Sequence, residues 1–183
     1  MLSYLKITKR VDIMMNIFEK IKKSGLNLPA CPKPLASYMP AIRIKDTIYV
    51  SGQLPTGKSP MPTGAVPSEV SIEEAQKAAG VCFLNALSAA VDLIKETEDL
   101  QLVQIQGFVK CDSSFTDMPL VINGASEQAL QLMEDKGTHA RTAVGVSSLP
   151  KNAPVEIACI FNVLDAGMPS YSGRYEWFDP SKN

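Results

Sequence analysis

A long amphipathic helix is the feature that most restricts what this chain can fold into. Ser71-Ile-Glu-Glu74 has the spacing of a capping box, in which the serine and glutamate side chains bond to the first free amides of a helix. Apolar side chains then recur every three or four residues, at Ala75, Ala79, Cys82, Phe83, Ala86, Leu87, Ala90, Leu93 and Ile94. This spacing is typical of a helix that packs one face on a sheet.

Strand patterns lie on both sides of that helix. A second helix is predicted from Asp117, as its N-cap, to about Asp135, and Gly137 would end it. Short runs of apolar or alternating residues predict strands over residues 41–44, 47–51, 102–111, 141–147 and 155–164. The order β-β-α-β-α-β-β predicts an α+β fold, with a single mixed sheet and both helices packed on one face.

The chain of 183 residues fits a single domain with extensions. Residues 16–24 place isoleucines on one side and lysines on the other before Gly25, which predicts a short amphipathic helix. We expect an N-terminal extension over residues 1–33 that contains this helix, and one domain over residues 34–166. A C-terminal tail over residues 167–183 is rich in aromatic side chains, which favours its docking on the body or on a neighbouring subunit.

Composition argues against several classes of protein. The 18 basic and 19 acidic side chains create no net field for nucleic acid or for an anionic membrane. No apolar run reaches the roughly 18 residues that a membrane span needs. The four scattered cysteines and one histidine do not have the spacing of a zinc site and favour a cytoplasmic protein with reduced thiols. The basic residues among the first 14 also fit a weak organellar targeting segment, although an upstream start or a frayed tail is the simpler interpretation.

One motif match is misleading. Residues 52–59, GQLPTGKS, satisfy the P-loop pattern GxxxxGK[ST]. A P-loop must turn directly into a helix whose amides hold phosphate, but Ser59 is followed by Pro60, Met61 and Pro62. Nucleotide binding is therefore not expected.

Two lone charged residues stand at the starts of the last two predicted strands. Arg141 begins one strand, and Glu156 lies at the start of the next. A guanidinium grips a carboxylate through two parallel hydrogen bonds, and a glutamate in apolar surroundings can activate water as a general base. The pair suggests a site for a small carboxylate that reacts with water. The alternative is that both are charges at strand edges that face the solvent.

The wording of the sequence around these residues resembles that of a known family. Residues His139 to Ile157, HARTAVGVSSLPKNAPVEI, and Ile48 to Pro55, IYVSGQLP, resemble the Rid family, also called YjgF-like proteins. The resemblance runs from about Pro34 to Asp165 in the family's order. The N-terminal helix and the wording VINGASEQ point to a divergent branch. The resemblance implies a small homotrimer without a cofactor or metal, in a family whose characterised members are enamine and imine deaminases.

The resemblance also assigns site residues. Arg141 matches the arginine that binds the substrate carboxylate, and Glu156 matches the glutamate that positions the attacking water. The other matching positions are Tyr38 in an aromatic wall, Ser51 and Gly52 at the pocket floor, and Asn123 as a polar pocket residue. Three of these have simple structural alternatives: a half-buried ring for Tyr38, a strand end for Ser51, and a bond to its own helix backbone for Asn123.

Some positions depart from the family pattern. Ser37-Tyr38-Met39-Pro40 lacks the family's glutamine, Ala158 replaces a second acid, and Pro119 replaces a phenylalanine. These changes alter the pocket wall and leave the substrate open. His139 has no serine, cysteine or metal partner visible in the sequence, so we expect a structural or pocket-rim role rather than a catalytic triad.

The expected reaction is hydrolytic deamination of a 2-imino acid to a 2-keto acid and ammonia. Arg141 would hold the carboxylate and Glu156 would deliver water to the imine carbon. The first alternative is a protein that binds small carboxylates without turnover. The second is a ribonuclease or translation inhibitor, but the balanced charge weighs against it, and nucleic acid is not an expected partner.

The short loop between the last two strands also predicts a shared site. Parallel strands need a crossover of about a dozen residues, so these strands must run antiparallel. Arg141 and Glu156 would then lie at opposite ends of the sheet, about 20 Å apart. A small acid cannot bridge that distance, so Glu156 would have to come from a neighbouring subunit of the trimer.

Overall fold

The computed structural model describes residues 15–30, 37–57 and 60–170. The N-terminal residues 1–14, the predicted boundary near residue 33 and the aromatic residues of the tail lie outside these ranges. The helices and strands follow in the order α1 (Ile17–Ser24), β1 (Ala41–Ile44), β2 (Thr47–Gln53), α2 (Ile72–Val91), β3 (Glu98–Lys110), α3 (Met118–Met133), β4 (Ala140–Val146) and β5 (Val155–Asp165).

The strands form one mixed sheet in the order β1-β2-β5-β3-β4. Strands β3 and β4 are parallel, and the other neighbours are antiparallel. Burial alternates along β3 and β5, and the buried side chains, such as Ile105, Ile157 and Phe161, lie beneath α2 and α3. The predicted α+β fold, with one mixed sheet and both long helices on one face, is confirmed. The predicted N-terminal helix is confirmed as well.

The other face of the sheet carries no helix of the described residues. Its apolar side chains include Ile42, Tyr49 and Val144, which are 48%, 45% and 38% exposed. Successive side chains of a strand point to opposite faces, and these three point away from the helices. The sheet therefore presents an open face that is partly apolar. Among the described residues, no helix is long and apolar enough to cross a membrane.

Several boundaries differ from the prediction. Asp117 is the N-cap residue of α3, as predicted, but its side chain makes no cap hydrogen bond. Helix α3 ends at Met133, and the chain tightens into a 3-10 turn over Glu134–Gly137. Strand β3 begins at Glu98, earlier than predicted, because its first residues pair with the end of β5.

A buried ion pair fixes the segment that leads to Arg141. Lys136 Nζ donates to Asp99 Oδ2 over 2.6 Å, and both side chains are 2% exposed. The other oxygen of Asp99 accepts the backbone N–H groups of Ile17 and Leu100, at 2.9 and 2.8 Å. Buried charges persist only when they are paired and hydrogen-bonded in this way. This cluster ties α1, β3 and the 3-10 turn before β4 into one unit.

Candidate functional site

Arg141 lies beneath α3 at the edge of the sheet. Its register partner on β3 is the buried Ile105, so its side chain leaves the sheet on the helix side. Its Nη1 donates to Asn123 Oδ1 at 2.8 Å and to Ser126 Oγ at 3.2 Å. Asn123 and Ser126 are three residues apart on α3 and therefore share one face of that helix. Asn123 thus meets Arg141 instead of bonding only to its own helix.

His139 has a serine partner that is not visible in the sequence. Its Nε2 lies 3.0 Å from Ser126 Oγ, and its Nδ1 lies 2.6 Å from the carbonyl oxygen of Gly137. Burial lowers the pKa of His139, and the charge of Arg141 acts in the same direction. The pairing arises only when β4 packs against α3. In the sequence, only the spacing of three residues between Asn123 and Ser126, which puts both on one face of α3, points to Ser126.

Glu156 lies on the open face of the sheet, directly over Gly52. Its register partner on β3 is Phe108, and it is half-buried. A Cβ atom added to Gly52 would overlap Oε1 of Glu156 and lie 2.8 Å from its carboxyl carbon. Burial raises the pKa of Glu156. The missing side chain of Gly52 is what lets this carboxylate approach the backbone of β2.

Ser51 and Tyr38 line a depression to which neither Glu156 nor Gly52 contributes. Ser51 donates its hydroxyl to the Met39 carbonyl at 2.8 Å and its amide to the Pro40 carbonyl at 2.9 Å. Both of its donors therefore hold the chain before β1, whereas the resemblance implied a hydroxyl at the pocket floor. The depression is shallow, has a volume of about 340 Å³ and is also lined by Ile42.

The site residues thus do not form one cluster. The arginine half-site consists of Arg141, Asn123, Ser126 and His139, and the glutamate half-site consists of Glu156 and Gly52. Ser51, next to Gly52 on β2, and Tyr38 line the separate depression. The described residues contain no group of three or more His, Cys, Asp or Glu side chains that could hold a metal ion.

The geometry corrects the predicted separation of Arg141 and Glu156. Their strands do run in opposite directions, but β3 lies between them. Arg141 is level with Ile105 and Glu156 with Phe108, which is an offset of about 10 Å along the strands, rather than opposite ends of the sheet. The two side chains also leave opposite faces of the sheet. One small ligand therefore cannot contact both residues of the same chain.

Gly52→Ala provides a test of the contact with Glu156. The added methyl group must push the carboxylate aside, and a displacement of about 1 Å can reduce turnover roughly 100-fold. On the deaminase chemistry that the sequence resemblance implies, we expect a loss of this size in kcat, measured with an imine substrate. The fold should persist, because the backbone of Gly52 is extended and has no positive φ. Gly57→Ala is a poor control, since Gly57 has a φ of 99°, so Thr47→Ser, at the far end of β2 from Gly52, is preferable. Unchanged kcat in Gly52→Ala would contradict the role of this contact.

Comparison with known proteins identifies the family. The family model described as Endoribonuclease L-PSP matches residues 29–163. Protein TCP17 of Trypanosoma cruzi is 34% identical over 140 residues, which cover 75% of this chain and 88% of that protein. A 2-iminobutanoate/2-iminopropanoate deaminase of Dermatophagoides farinae is 31% identical over 140 residues, which cover 75% of this chain and 94% of the deaminase.

A solved structure supports the same assignment. The protein Atu1372 of Agrobacterium tumefaciens, whose function is unknown, superposes with a TM-score of 0.67 at 37% sequence identity. The superposition covers 80% of this chain and 91% of that one. Sequence and fold agree over most of the length, and the chain belongs to the Endoribonuclease L-PSP family, the Rid or YjgF-like family.

Proposed function

We propose that this protein is a hydrolytic deaminase of 2-imino acids, whose site forms where two copies of the chain meet. The observation that carries the proposal is the half-buried Glu156, with its pKa raised by burial and its carboxylate seated on Gly52. A carboxylate with a raised pKa is a stronger base near neutral pH than an exposed one. The similarity to the 2-iminobutanoate/2-iminopropanoate deaminase, over nearly all of that protein, supports the same chemistry.

In the proposed reaction, Arg141 binds the carboxylate of the 2-imino acid. Glu156 takes a proton from water as the water oxygen bonds to the imine carbon. The electron pair of the C=N bond moves to nitrogen, which takes up a proton, so that a carbinolamine forms. Its collapse breaks the C–N bond and releases ammonia and a 2-keto acid. The chemistry needs only water as a co-reactant.

The proposed assembly is a closed ring of three copies. Arg141 and Glu156 cannot reach one ligand within a chain, because they leave opposite faces of the sheet. The open face, with Ile42, Tyr49 and Val144 exposed, has the apolar character of a surface that a second copy covers. In a cyclic oligomer every interface is the same, so each would place one glutamate half-site against one arginine half-site.

The direct test generates 2-imino acids in place with an amino-acid oxidase and measures the release of keto acid or ammonia. We expect release faster than spontaneous hydrolysis. If the wild-type protein does not accelerate the hydrolysis of any imine in this assay, the deaminase proposal is wrong, and the alternative of a carboxylate-binding protein takes its place. That alternative rests on the Arg141–Asn123 pair, which can hold a carboxylate without Glu156. The ribonuclease alternative rests on the family description alone, and RNA cleavage by the same preparation would test it.

A further inference from the structure

A chain of hydrogen bonds runs from Gly137 to Arg141, and each bond has only one possible direction. The Gly137 carbonyl can only accept, so the hydrogen of the neutral His139 ring must sit on Nδ1. Nε2 is then an acceptor, and the Ser126 hydroxyl donates to it. The burial of His139 favours this neutral form. The Ser126 proton is thereby committed to the ring, and the lone pairs of Ser126 Oγ remain for another donor.

The donor is Arg141. A guanidinium has no acceptor, so both Ser126 Oγ and Asn123 Oδ1 must accept from Nη1. Nη1 carries two hydrogens, and these two acceptors on α3 account for both. Among the described residues, no acceptor is bonded to Nε or Nη2. The Nε–Nη2 edge therefore remains as a planar fork for a carboxylate.

We propose that His139 and Ser126 are positioning residues that pin Nη1 of Arg141, so that the substrate carboxylate docks on the Nε–Nη2 edge. This inference rests on the proposed role of Arg141 as the carboxylate anchor. His139 orients the hydroxyl of Ser126, Ser126 holds Nη1, and Asn123 holds it from the next turn of α3. Holding the guanidinium in place before binding reduces the rotamer entropy that binding must overcome.

The first arm of the test uses the ligand-free protein. The chain contains one histidine, so spectra of protein labelled with 15N-histidine report on His139 alone. We expect the ¹⁵N shifts of the neutral ring to show the Nδ1–H tautomer. The Nε2–H tautomer would overturn the proposal, because the ring would then donate to Ser126 and the chain of bonds would run the other way.

The second arm measures benzoate binding by calorimetry. Ser126→Ala should weaken binding by roughly 3- to 10-fold, the effect of losing one neutral hydrogen bond. Ser126→Thr keeps the hydroxyl and should recover most of the affinity. Gln131→Ala, at an exposed position of α3, is the matched control and should leave affinity unchanged. In the imine assay Ser126→Ala should raise KM and leave kcat nearly unaltered, which general destabilisation would not produce.

Benzoate binding by Ser126→Ala and by Arg141→Ala distinguishes the positioning role of Ser126 from the anchoring role of Arg141. If Ser126→Ala binds benzoate as tightly as the wild type while Arg141→Ala does not bind it, the positioning role is wrong and the anchor stands. If Arg141→Ala also binds benzoate with unchanged affinity, the anchor itself is wrong and both proposals fall.

Discussion

Glu156→Gln should abolish most imine hydrolysis while leaving carboxylate binding intact. A neutral amide cannot take a proton from water, and a positioned general base contributes roughly 100- to 10,000-fold to a rate. The expected result is a fall of that size in kcat, with the affinity for benzoate unchanged. The assay is keto-acid release from 2-imino acids, with calorimetry of benzoate binding on the same preparation.

Thermal unfolding separates this loss of activity from a loss of fold. Burial raises the pKa of Glu156, so the folded state disfavours the charged carboxylate, which costs stability above that pKa. Glutamine has no charge to bury, and the Tm of Glu156→Gln should equal or exceed that of the wild type near neutral pH. Wild-type activity should also fall as the pH is lowered through the raised pKa. Full turnover by Glu156→Gln would remove this residue from the mechanism.

Arg141→Ala should have the second large effect, a loss of carboxylate binding by about 2–5 kcal/mol. That is the scale for removing one partner of a charge pair that becomes buried when the ligand and the neighbouring copy are in place. Calorimetry with benzoate or 2-ketobutyrate measures it. Asn123 and Ser126, which lose their donor, are partly exposed and can bond to water, so the fold should persist.

Arg141→Lys is the matched control for charge. A lysine restores the positive charge but has no planar fork, so it should not restore binding. It would also lack the second and third nitrogens that let Arg141 bond to α3 and to a ligand at once. Recovery of wild-type affinity by Arg141→Lys would show that a point charge is enough, which contradicts bidentate binding.

The fold could be predicted from the sequence because its signals are local. The capping box at Ser71 and Glu74 is present, and the apolar spacing of α2 fits the face that packs on the sheet. The order of strands in the sheet is not a local property. The short connection between β4 and β5 indicates that these strands run in opposite directions, but it does not indicate that β3 lies between them. For this reason the predicted offset of Arg141 and Glu156 was about twice the observed one.

For the candidate site, too, local features could be predicted from the sequence and long-range ones could not. The apolar strands around Arg141 and Glu156 single out both residues in the sequence. The faces they occupy depend on how each strand is registered against β3, which the spacing of residues within one strand cannot reveal. Ser126 could not be predicted from the sequence, because it meets His139 only when α3 packs on β4. The seat of Glu156 on Gly52 likewise needs β2 and β5 to be neighbours.

The most direct measurement of the shared site is subunit complementation between Arg141→Ala and Glu156→Ala. Each variant alone lacks one residue from every site and should be inactive. After co-refolding, a site regains both residues when its arginine comes from a Glu156→Ala copy and its glutamate from an Arg141→Ala neighbour. In randomly mixed closed rings this holds for about a quarter of the interfaces, so roughly a quarter of wild-type imine turnover should return. A mixture that native mass spectrometry shows to have exchanged subunits, yet that remains inactive, would contradict the shared site.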